Sequence, residues 1–101
     1  MEASRLDELR HGIDQIDSEI IILLAKRFQL TEEVGQFKAI HQLNAQDNSR
    51  ESQQFDKITK LSHSHGLNSE YATALYRCLM DIVISRHQEI QQSKQEQETT
   101  V

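Results

Sequence analysis

Proline is absent from the 101 residues, and glycine occurs only at Gly12, Gly35 and Gly66. Parallel sheets and hairpins need more turn residues than that, which points to few connections and long helices. The single cysteine, Cys78, excludes an internal disulfide and fits a reducing compartment. A lone thiol of this kind is expected to be a small buried apolar side chain. No apolar run approaches the ~20 residues of a membrane span. The opening Met1-Glu2-Ala3-Ser4-Arg5 does not read as a secretory signal, so a cytoplasmic protein is expected. There is no glycine-rich phosphate loop. His63 and His65 flank Ser64 in a turn, too few and too close to a helix end for a metal site. Neither a metal nor a cofactor is expected. The net charge of −5 argues against a general nucleic-acid binder, which needs a basic field. It makes any inward-facing cluster of cations more informative.

What is present is helical periodicity. Leu6, Leu9, Ile13, Ile16, Ile20, Leu23, Leu24, Leu30, Val34, Phe37, Ile40 and Leu43 recur at steps dominated by three and four, the pattern of one amphipathic helix. Gly12 and Gly35 each cost only ~1 kcal/mol there relative to alanine. Such a helix of about 37 residues spans ~55 Å, whereas a compact domain of this length has a radius of gyration near ~13 Å. Either it kinks, or a second chain covers its length. An antiparallel homodimer sharing one core is the favoured expectation. Polar residues from Asn44 to Asn48 end the pattern. A second helix is expected to start near Asn48, with Glu51 completing a capping box. Phe55, Ile58 and Leu61 form its apolar stripe, and Gly66 caps its end. Asn68 is the candidate cap of a third helix carrying the stripe Tyr71, Leu75, Leu79 and Ile82. The fold class is therefore all-α, with three helices and a very long first one. Residues 1–92 form the domain, and the polar segment 93–101 is expected to be a disordered tail.

Three cations lie among the apolar residues of the long helix. Arg27 and Lys38, eleven residues apart, share a face and stand about 16 Å apart along the axis, within joint reach of one small ligand. Arg10 is seventeen residues before Arg27, so it lies ~25 Å away and roughly 100° around the helix. A straight helix cannot bring both arginines to one small molecule, but an antiparallel partner could supply its own Arg10. Solvated helix cations would show the same spacing. Asp47-Asn48-Ser49-Arg50-Glu51 gathers carboxylates and a guanidinium at a helix start, either as a polar lid or as ordinary capping. Val83 and His87 stand one turn apart beside the stripe of the third helix.

The run Leu6-Asp7-Glu8-Leu9-Arg10, then Ile13, Ile16-Asp17, Ile20 to Leu24, Ala25-Lys26-Arg27 and Glu33-Val34-Gly35 to Lys38 resembles the all-helical chorismate mutases. Asp47, Arg50-Glu51 and His65-Gly66-Leu67 continue the resemblance in register, over roughly residues 5 to 90. It implies an intertwined homodimer of three-helix chains that converts chorismate to prephenate by a pericyclic rearrangement, without cofactor or covalent intermediate. By position, Arg27 and the partner's Arg10 would pair with the substrate carboxylates. Lys38 would hydrogen-bond the ether oxygen. Glu51, with Asp47 nearby, would receive the ring hydroxyl, and Arg50 would support that end.

The third helix departs from the family pattern. Where the family commonly has a serine and, four residues later, a glutamine that donates to the ether oxygen, this chain has Val83 and His87. A slip to Gln88 would turn the helix ~100°, so His87 is the expected site residue. Two other readings stay open. One is a lyase on the same scaffold that eliminates pyruvate from isochorismate, although such lyases generally lack the acidic cluster seen at 47–51. The other is a non-enzymatic helical dimerisation or regulatory module.

Overall fold

A computed structural model describes residues 2–99. Among them the order is α1 (Glu2–Ile40), α2 (Asn48–Ser64) and α3 (Ser69–Thr99), with no strand. The expected all-α class and the single long first helix are both observed. The chain divides into two compact units, Met1–Thr31 and Glu32–Val101.

The first unit is the leading part of α1. Its apolar residues Leu6, Leu9, Ile13, Ile16, Ile20, Leu23 and Leu30 are all exposed in the single chain. The helix is apolar along its length, yet its own chain does not bury that face.

In the second unit, α2 packs with α3, and the end of α1 meets α3. α1 stops after Ile40 although no glycine follows it. Gln42 takes the left-handed conformation, with φ +56. The Leu43 N–H donates to the Lys38 carbonyl at 2.8 Å and the Gln42 N–H to the Ala39 carbonyl at 3.4 Å. These two bonds form the Schellman closure that glycine usually supplies. A side chain in this conformation costs roughly 1–2 kcal/mol. Gln42→Gly should therefore raise the unfolding free energy by about 1 kcal/mol, read as a higher midpoint in urea with an unchanged slope.

α2 is capped by Asp47, whose carboxylate accepts the Arg50 N–H at 3.0 Å. α2 starts at Asn48 as expected, but its cap is not the expected one. Asn48 is the first helical residue, not the cap, and Glu51 forms no box with it. At the other end Gly66, with φ +68, allows Leu67 N–H to reach the Ser62 carbonyl at 2.8 Å. Asn68 caps α3 as expected, its side-chain oxygen accepting from the N–H groups of Glu70 and Tyr71.

α3 turns a different face inward from the one its apolar stripe suggests. Ala72, Met80, His87 and Ile90 are buried, whereas Tyr71, Leu75 and Ile82 are more than half exposed. Cys78 is exposed too, which corrects the expectation of a buried thiol. It lies two residues before Met80, ~200° around the helix, and so falls with the outward stripe. The helix also runs on where fraying was expected. Ile90 is buried, and Gln91 donates to the Leu43 carbonyl at 2.6 Å. Beyond them the glutamines, Lys94 and glutamates are good helix formers, and α3 reaches Thr99. The remainder of the expected 93–101 tail, Thr100 and Val101, lies outside the described residues.

Close approach of α1 and α3 occurs at Gly35. A Cβ there would lie 2.6 Å from Cδ2 of His87 and 2.8 Å from Cδ1 of Ile90. Arg86 fixes the same crossing from outside by a forked pair with Glu32, at 2.6 to 3.2 Å. Its hydrogen bonds hold the Glu32 carboxyl below its ordinary pKa, against a smaller opposing effect of burial. In an ordinary helix interior Gly→Ala is worth ~1 kcal/mol of stability. Here overpacking costs roughly 1–3 kcal/mol, so the sign reverses. Gly35→Ala should lower the thermal midpoint by several degrees in a calorimetric scan.

Candidate active site

The geometry centres on Lys38, in the last turn of α1. This side chain is half-buried, and its Nζ donates to the Ala45 carbonyl at 3.1 Å. The same Nζ stands 3.5 Å from Nδ1 of His87, at the outer limit of a hydrogen bond. An ammonium has no acceptor. In this contact His87 Nδ1 accepts, rather than donating as a replacement for a glutamine amide would. His87 is 2 % exposed, and Gln88 on the next position is exposed. Of the two, His87 is the one turned inward, beside Lys38. Val83, one turn earlier, is half-buried.

The second cluster forms around Glu51, in the first turn of α2. Its side chain is 16 % exposed and accepts from Arg77 Nη2 of α3 at 3.2 Å. Gln46 Nε2 lies 3.5 Å from the other carboxylate oxygen. Arg77 is itself held by Asp81, at 2.8 Å from Nη2 and 3.0 Å from Nε. Its guanidinium carbon sits 5.6 Å from the centroid of the Phe55 ring. Hydrogen bonds that Arg77 donates to Glu51 and then to Asp81 raise its pKa further. Asp47 is committed to capping, with its side chain exposed, and Arg50 is exposed.

Arg10 and Arg27 belong to the first unit. Arg10 is exposed and Arg27 half-buried. Of the residues expected in the site, the structure brings Lys38 to His87. It pairs Glu51 with Arg77, a residue the sequence reading did not single out. The available signal was an i, i+4 Arg–Asp pair on α3, which by itself reads as ordinary surface support.

An all-helical chain with a held lysine, a buried histidine and a cross-helix carboxylate–guanidinium pair has the parts of a small-molecule site on a helical scaffold. Comparison with known proteins is specific. The pattern of the family described as chorismate mutase type II matches residues 9–88, and the chain belongs to that family. It is 30 % identical over 77 residues to a chorismate mutase of Methanocaldococcus jannaschii, covering 76 % of this chain and 78 % of that protein. It is 31 % identical over 85 residues to a bifunctional chorismate mutase/prephenate dehydratase of Escherichia coli K12, covering 83 % of this chain. A bifunctional relative from Aquifex aeolicus is 40 % identical over 57 residues. The chain spans about a fifth of the length of the bifunctional Escherichia coli relative, 22 %.

Proposed function

We propose that this chain is a chorismate mutase that rearranges chorismate to prephenate in aromatic amino-acid biosynthesis. The observation that carries this reading is the family match across residues 9–88 together with the placement of Lys38. A unimolecular rearrangement needs no acid, base or nucleophile. It needs a substrate held in a folded conformation and charge placed where the transition state polarises. An ammonium has three N–H groups. In Lys38 one is taken by the Ala45 carbonyl and another is directed at His87, which leaves a third for the ether oxygen of the substrate. His87 then acts by holding Lys38. Glu51 receives the ring hydroxyl, with Asp47 and Arg50 at the same end, and Val83 lines the site beside His87.

Arginine forks suit carboxylates, and Arg27 with Arg10 takes that part. α1 is one uninterrupted helix from Glu2 to Ile40, so both arginines of one chain stay ~25 Å apart. The active form in this reading is an antiparallel homodimer with Arg10 supplied by the partner. The exposed apolar residues of α1 and the outward stripe Tyr71, Leu75 and Ile82 of α3 each support it, because an exposed apolar helix face marks an interface.

A cytoplasmic setting, with its reducing environment, is part of the same reading. Among the described residues, no helix is long and apolar enough to cross a membrane.

The test is a direct assay of chorismate loss and prephenate formation by the purified chain, with isochorismate in parallel. Prephenate is the expected product. Pyruvate from isochorismate, or turnover of neither compound, overturns the proposal.

A further inference from the structure

Glu51 lies near the start of α2 on a flexible three-torsion side chain, and nothing in α2 itself fixes where its carboxylate points. Gln46, before the helix, approaches Oε2 at 3.5 Å, and the shorter contact comes from α3. Arg77 reaches across to Oε1 of Glu51 at 3.2 Å. Its own guanidinium is oriented by two bonds to Asp81, at 2.8 and 3.0 Å, and by the Phe55 ring. The chain Asp81–Arg77–Glu51 therefore fixes a carboxylate on α2 from a fork on α3. A surface ion pair alone would contribute little to stability. This one joins a Glu51 side chain that is only 16 % exposed to an Arg77 side chain that is 41 % exposed, which suits alignment better than stabilisation. An ionised carboxylate offers about four acceptor positions, so a bond to Arg77 leaves capacity for a substrate hydroxyl.

We propose that Arg77 is a positioning residue for the reaction: from α3 it holds the Glu51 carboxylate in the orientation that receives the ring hydroxyl of the substrate. This rests on the mutase reading given above. Arg77 does not touch the substrate; it acts through Glu51. A misplacement of about 1 Å at a positioning contact can cost up to about a hundredfold in rate.

The experiment compares chorismate with an analogue that lacks the ring hydroxyl, using the wild-type chain, Arg77→Gln, Arg77→Lys, Asp81→Asn and Glu51→Gln. Arg77→Gln should lower kcat/KM for chorismate about tenfold or more and leave the deoxy analogue nearly unchanged. Arg77→Lys should recover part of the loss, because an ammonium restores the charge but not the fork. Asp81→Asn, which keeps Arg77 and only loosens it, should give a smaller loss of the same substrate-dependent kind. Adding Arg77→Gln to Glu51→Gln should cost little more than Glu51→Gln alone. Equal losses on both substrates, or additive losses in the double variant, overturn the positioning role. If the wild-type chain turns over neither compound, the mutase reading fails instead. If Arg77→Gln does not fold, the Asp81→Asn comparison between the two substrates decides.

Discussion

Lys38→Met should lower kcat by about a hundredfold to a thousandfold, the range expected when one preorganised donor to a developing oxyanion is removed. Methionine follows the lysine stem out to Cε, with sulfur in place of Cδ, and removes the ammonium. In the folded chain that ammonium is held between the Ala45 carbonyl and His87, so it is oriented before substrate arrives. The substrate's ether oxygen is a weak acceptor in the ground state and gains negative charge as its bond breaks. An interaction that strengthens in this way raises kcat rather than tightening the ground-state complex. Steady-state kinetics separate the possibilities. A fall in kcat and kcat/KM together, with KM little changed, is expected. A defect confined to KM would assign Lys38 to substrate binding alone. Far-UV circular dichroism guards against trivial loss of structure, which matters because the Lys38 carbonyl also accepts the bond that ends α1.

The same lysine illustrates what the sequence carried and what it did not. Its place among the apolar residues of α1 was readable from the steps of three and four, as were the number of helices and the caps at Gly66 and Asn68, but the side it shares with buried Gly35 and Ala39 was not. These are local properties, set by periodicity and by backbone chemistry within a few residues. The stop after Ile40 was visible only as a change in composition, because Gln42 occupies a conformation that glycine normally marks. The capping residue of α2 was displaced by one position, since Asp47 and Asn48 are both strong caps. Non-local pairs were invisible. Nothing in the spacing of Glu32 and Arg86, or of Glu51 and Arg77, announces that they meet across helices. The face of α3 was misassigned for a related reason. A periodic stripe reveals that a helix has an apolar side, but not whether its own chain or another covers it. Tyr71, Leu75, Cys78 and Ile82 share the side that the single chain leaves open.

Arg10→Ala and Arg27→Ala should each lower activity by about tenfold to a hundredfold or more, since in the proposed site each removes a charged hydrogen-bonding partner of a substrate carboxylate. Mixed together, the two impaired chains should recover activity. The reason is geometric. On one helix the two arginines are held ~25 Å apart, so a site that uses both must take them from different chains. In a symmetric dimer of mixed composition, one site receives Arg27 from the Arg10→Ala chain and Arg10 from the Arg27→Ala chain, and is complete. The other site lacks both. Random exchange makes half of the dimers mixed, so about a quarter of all sites, and of the wild-type activity, should return. The magnitude is as informative as the direction. A monomer, or a dimer that draws both arginines from one chain, gives no intact site in any combination, and activity would stay at the level of the separate variants. Subunit exchange has to be verified independently, for example by mass spectrometry of chains carrying distinguishable tags. Full exchange without recovery would reject sharing in trans. It would leave the exposed apolar length of α1 with no part in a shared site.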